Sequence, residues 1–118
     1  MTPRRPITSA AVRRLALALP EAVESSHFGV PDFRVRNRIF ATLPMDVRVV
    51  VLKTTPANLD VLVRADRATF SDEWRGRWLG IRLDRVSLPM LRDLLADSWR
   101  LAAPKRLAAR LTPSVTGP

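Results

Sequence analysis

Between Ala22 and Lys53 the chain is written in short apolar and β-branched runs, punctuated by Gly29, Pro31, Asn37 and Pro44. That grammar reads as about three antiparallel strands joined by tight turns. In "DFRVRNRIF" the alternation is explicit. Phe33 and Val35 take one face while Arg34 and Arg36 project from the other, because successive strand side chains point to opposite sides. Asn37 tolerates a left-handed backbone, so Arg36-Asn37-Arg38 reads as the tip of a hairpin returning through Ile39 to Leu43. The loop length decides whether Ile39 or Phe40 faces the core.

Helical spacing surrounds this block. Thr8 or Ser9 caps a first helix running to about Leu19, with Val12, Leu15, Ala16 and Leu19 on one face and Pro20 as its stop. Thr55-Pro56 opens a second, to about Ala65, with Leu59, Leu62 and Val63 as its buried stripe. "WRGRWLGIRL" reads as one more strand centred on Trp78 to Leu83. Ser87 then caps the longest helix, where Leu88, Leu91, Leu95, Trp99 and Ala102 share a face. Pro104 restarts a basic terminal turn, "PKRLAARL". Runs of strands flanked by helices argue an α+β two-layer sandwich, one antiparallel sheet with helices packed on one face. The expected organisation is a single domain over residues 8–111, between flexible tails at 1–7 and 112–118.

Composition narrows the function. At 118 residues, 47% of them hydrophobic, the chain is long enough for one core without staples. It has no cysteine and one histidine, His27, which excludes disulfides, cysteine-ligated metals and a histidine cage; no metal or other cofactor is expected. Twenty Lys+Arg against eleven Asp+Glu give a net charge of +9. Such a surplus attracts polyanions. Eighteen of the twenty cations are arginine, a ratio that GC-rich coding explains without explaining the surplus itself. No run approaches the ~20 apolar residues of a membrane span, and Arg13 and Arg14 interrupt any signal segment, so a cytoplasmic monomer is expected.

One enzymatic pattern must be weighed. Some Mg²⁺ nucleases use Pro-Asp followed by Asp/Glu-x-Lys on the next strand. Pro31-Asp32 and Lys53 fit two parts, but the position two before Lys53 is Val51, which cannot ligate a metal. One carboxylate does not hold a catalytic ion, so Asp32 is read as a turn-capping residue and no catalytic residue is assigned. His27 has no nucleophile at a recognisable spacing and reads as structural.

The arginine ladder remains. A hairpin with arginines on one face and at its tip is a wing able to contact phosphates. Arg34, Arg36 and Arg38 form the first, with Arg48 and Lys53 as extensions. Arg75 and Arg77, flanking Gly76, form the second, and Lys105 and Arg106 are weaker additions. Trp78 reads as core; Trp74 stays open, a candidate for stacking on bases.

"LPEAVESSHFGVPDFRVRNRIFATL", "VVVLKTTP", "GRWLGIRL" and "LLADSWRLAAPKRLAARL", in that order, resemble the MmcQ/YjbR family over roughly residues 10 to 111. The resemblance implies a fold similar to the frataxin/CyaY-like sandwich and a DNA-binding role with a double-wing mode. Frataxin-like iron binding needs an acidic ridge, yet the first helix has no acid before Glu21, so iron is not carried over. Where relatives often place glycine and lysine at the hairpin tip, this chain has Asn37 and Arg38. The expected function is a small non-enzymatic protein binding double-stranded DNA through phosphates, without sequence readout. About five neutralised phosphates would give a log-log salt slope near −4.5. The alternative is an interaction module for an acidic protein or small anionic ligand, marked by a concave pocket beside His27, Asp32 and Trp78.

Overall fold

The computed structural model describes residues 5–111. The order is α1 (Ser9–Leu17), β1 (Val23–His27), β2 (Val30–Val35), β3 (Arg38–Thr42), β4 (Val49–Lys53), α2 (Pro56–Ala65), β5 (Phe70–Trp74), β6 (Trp78–Arg82), α3 (Leu88–Ala102) and α4 (Lys105–Ala108). The strands form one fully antiparallel sheet in the order β1-β2-β3-β4-β6-β5, with β1 and β5 at its edges. This is the α+β sandwich that the alternating and helical periods predict. Residues 1–4 and the expected tail at 112–118 lie outside the described residues. Ile7, placed in the N-terminal tail, donates its backbone N–H to Leu83 O at 2.9 Å and packs against the core.

The expected caps form. Thr8, Thr55 and Ser87 each accept the N–H three residues on, from Ala11, Asn58 and Met90, satisfying a donor that the first helical turn leaves orphaned. Helix α3 lies across β2, β3 and β4, α1 packs on α3, and α2 packs on β5. The core between the layers joins Leu91, Leu95 and Trp99 of α3 to Phe33, Val35, Phe40, Val50, Leu52 and Leu79 of the sheet. Two polar ties fix the helix. Trp99 Nε1 donates to Pro20 O at 2.9 Å, and Ser98 Oγ to Lys53 O at 2.7 Å. Leu88, expected in the buried stripe, is exposed, and the buried face of α3 begins one turn later, at Leu91.

Two differences concern strands. The segment 22–53 holds four strands, and the single later strand is a hairpin, β5–β6. Strand β5, "FSDEW", buries only Phe70. An edge strand exposing four of five residues carries no alternation to read. A bulge between Phe33 and Arg34 settles the open register: Phe40 and Ala41 are both buried, and Ile39 stands on the face away from the helices, opposite Arg34.

Trp99 is completely buried and holds two layers together. Trp99→Ala is expected to cost about 3–5 kcal/mol of stability, read as a lower urea midpoint by far-ultraviolet circular dichroism.

Candidate nucleic-acid interface

Three tight turns carry left-handed residue pairs: Phe28-Gly29 (φ 49° and 79°), Arg36-Asn37 (49° and 66°) and Arg75-Gly76 (48° and 72°). Positive φ at both central positions is the type I′ geometry whose twist matches paired strands. Strand direction alternates across the sheet, so the β2–β3 and β5–β6 turns emerge at the same end, where β4 also finishes at Lys53. The two tips are thus neighbours in space although some 40 residues separate them in sequence. Three interstrand spacings lie between the hairpin midlines, roughly 14 Å.

The predicted cations divide into two groups. Arg38, Arg75 and Arg77 are exposed at that end and form no ion pair among the described residues. Lys53 joins them, its Nζ 5.6 Å from the Trp78 ring centroid, and the Arg75 guanidinium lies 4.9 Å from that of Trp74. The others are engaged or elsewhere. Arg36 turns to Glu21, its Nη2 donating to Oε2 at 3.0 Å, and this guanidinium holds the Glu21 carboxyl below its ordinary pKa. Arg48 precedes β4 at the opposite end and donates to Asp46, so it does not extend the patch. Lys105 and Arg106 are exposed on α4, in the helix layer beyond the end of α3.

Arg34 belongs to a different structure. Its Nε and Nη2 donate to Asp32 Oδ1 and Oδ2 at 2.8 and 3.0 Å, and Nη2 also reaches Ser26 O at 3.4 Å. His27 Nδ1 lies 2.8 Å from Asp32 Oδ2. Asp32 is therefore no turn cap but a mid-strand residue, buried and serving as the hub of a His27–Asp32–Arg34 cluster. The bidentate Arg34 contact, with a smaller contribution from His27, outweighs burial and holds its carboxyl below the ordinary value. An ionised carboxylate only accepts hydrogen bonds, so Nδ1 of His27 carries the proton. No spacing rule connects these residues. They meet because His27 sits opposite Val30, and Asp32 and Arg34 follow it at period two on the same face. Among the described residues, no three His, Cys, Asp or Glu side chains converge as metal ligands.

The open face of the sheet also holds a groove of ≈ 310 Å³ lined by His27, Ile39, Thr42, Val51, Glu73, Trp74 and Trp78. Trp78, expected in the core, is half-buried here, because it starts β6 on the uncovered side, opposite Lys53 and Trp74. Gly80 explains the acid. A Cβ at that position would lie 2.5 Å from both Glu73 Oε1 and Ser71 Oγ, so its absence lets both side chains fold over β6, where Ser71 Oγ donates to Glu73 Oε1 at 3.1 Å. A larger cleft of ≈ 490 Å³ lies between α2 and α3. Two of its polar side chains are engaged within the fold: Ser98 donates to Lys53 O, and Arg100 pairs with Asp97.

The cluster predicts a pH dependence. Because the folded-state pKa of Asp32 is the lowered one, its contribution to stability is complete above the unfolded value, near 4, and is lost as pH falls through the folded value. Asp32→Asn is expected to flatten stability against pH below about pH 4, and Arg34→Gln to move the acid-unfolding midpoint upward. Acid titration followed by circular dichroism checks both.

The comparisons agree with this architecture. A crystal structure of a Deinococcus radiodurans protein with a DUF419 domain superposes with a TM-score of 0.74 at 23% identity, over 98% of this chain and 97% of that one. A structural-genomics target from Pseudomonas syringae gives 0.64 at 14% identity, over 81% and 99%. At these identities the likeness is one of fold. No curated protein matches the sequence. The YjbR family model matches residues 17–101, most of the chain and every element from β1 to β6, and the protein therefore belongs to the YjbR family.

Proposed function

We propose that this YjbR-family protein is a small non-enzymatic DNA-binding protein that grips phosphates through the two basic turns at one end of its sheet. The observation that carries the reading is the convergence of Arg38, Lys53, Arg75 and Arg77, from three separate segments, on that end. The hairpin separation of roughly 14 Å is comparable with the ~12 Å major groove of B-DNA, so each tip can meet a different phosphate backbone. Phosphate contacts position a protein without reading sequence. Arg34, Arg36 and Arg48 are excluded from the contact set, since each would first have to leave its carboxylate.

A second reading has one observation in its favour: the groove beside His27 and Trp78 is the concavity an interaction module would use. Glu73 at its wall opposes a small anionic ligand there. The basic end suits an acidic protein as well as DNA, and the two are separated by experiment.

Four neutralised phosphates give an expected log-log salt slope near −3.6, measured by fluorescence anisotropy with a short labelled duplex. Arg38→Glu/Arg77→Glu is expected to halve that slope to about −1.8 and to weaken binding by about tenfold or more at low salt. Arg48→Glu/Arg85→Glu, with the same change in net charge at the opposite end, should leave the slope unchanged. Equal losses in the two variants would show that net charge, not the basic end, governs binding. Absence of duplex binding at low salt would leave the acidic-protein reading.

A further inference from the structure

We infer that the groove on the open sheet face takes one unpaired nucleobase, so that the preferred nucleic acid is a strand with an unstacked base rather than an intact duplex. This rests on the phosphate-binding reading of the basic end and extends it to the adjoining surface.

Four observations place an aromatic, uncharged ring in that groove. Trp74 and Trp78 pair across β5 and β6, and Trp74 is 55% exposed, while Trp99 is fully buried. An indole left in solvent on a sheet face is a stacking platform, and stacking is indifferent to base identity. The cations already lie against these rings, Lys53 by Trp78 and Arg75 by Trp74, so the phosphates flanking a stacked base would fall beside positive charge. The remaining lining combines apolar Ile39 and Val51 with Thr42, His27 and Glu73. The Glu73 carboxylate accepts hydrogen bonds only. That suits the amino edge of adenine, cytosine or guanine and repels a free anion. Finally, ≈ 310 Å³ lies at the small end of the roughly 300–1,000 Å³ range of ligand clefts, room for one base and part of its sugar.

Geometry links groove and tips. Trp78 follows Arg77 directly, Trp74 precedes Arg75, and Lys53 pairs with Trp78 across β4–β6. A strand held at the basic end thus passes the mouth of the groove within one nucleotide. A base reaches it only when it has left its own stack, at a cost smallest where pairing is already absent.

The test uses the full chain and three labelled duplexes with the same number of base pairs: fully paired, with a central three-nucleotide bulge, and with the bulge made abasic, the last two carrying equal charge. The bulged duplex is expected to bind about tenfold tighter than the paired one, as base–aromatic stacking would give, and to quench tryptophan fluorescence. The abasic bulge should lose both effects. Trp74→Ala, at an exposed position whose loss leaves the core untouched, should bind the paired duplex as wild type does and lose the preference; Glu73→Gln should reduce it for bulged adenine and cytosine more than for thymine. Equal affinity for paired and bulged duplexes without quenching overturns the inference and leaves the phosphate reading intact. Failure to bind any of the three overturns both.

Discussion

Burial of Leu91, Leu95, Trp99 and Ala102 of α3 against the sheet is the constraint from which the rest follows. The helix layer covers one face only, so strands β2, β4 and β6 each have an inner set of side chains, Phe33, Val35, Val50, Leu52, Leu79 and Ile81, that must be apolar. The outer set is released from that demand. It holds Asp32 with Arg34 and His27 at one side and the two half-open tryptophans at the other. The Trp99 and Ser98 hydrogen bonds to Pro20 O and Lys53 O add direction to an attraction that otherwise has none.

Charge is distributed with a similar economy. Arg13, Arg34, Arg36, Arg48, Arg64, Arg82 and Arg100 each sit against a carboxylate. Apart from Arg34, whose partner Asp32 is buried, these pairs lie at the surface, where such pairs contribute little to stability. Their larger effect is to decide which cations remain available to a partner. The +9 surplus is therefore a statement about the whole chain, while the basic end of the sheet is a statement about three short segments.

Much of the fold was legible because it is written in local rules. The caps at Thr8, Thr55 and Ser87 and the Arg36-Asn37 tip depend on residues within a few positions of one another. What stayed hidden depended on strand register. Asp32 looks like a turn residue after proline, and only the pairing of β1 with β2 brings His27 to it. Trp78 looks like core because large aromatics usually are, and only its place opposite Lys53 puts it on the uncovered face. Strand β5 lacked any alternation because it lies at an edge. In the candidate site, Arg38, Lys53, Arg75 and Arg77 were named from sequence. Their sorting from Arg34, Arg36 and Arg48 was not, since ion pairs such as Arg36–Glu21 span 15 residues.

The edges themselves have a consequence. A sheet that ends in unpaired backbone groups invites another strand to add to it, and native proteins discourage this with edge charges. Strand β1 carries Glu24, and β5 carries Asp72 and Glu73. Two copies meeting through like edges would set carboxylates against each other, an arrangement that destabilises cross-strand pairing. Three of the eleven acids of a strongly basic chain thus stand on the two edge strands, where they oppose the addition of a further strand.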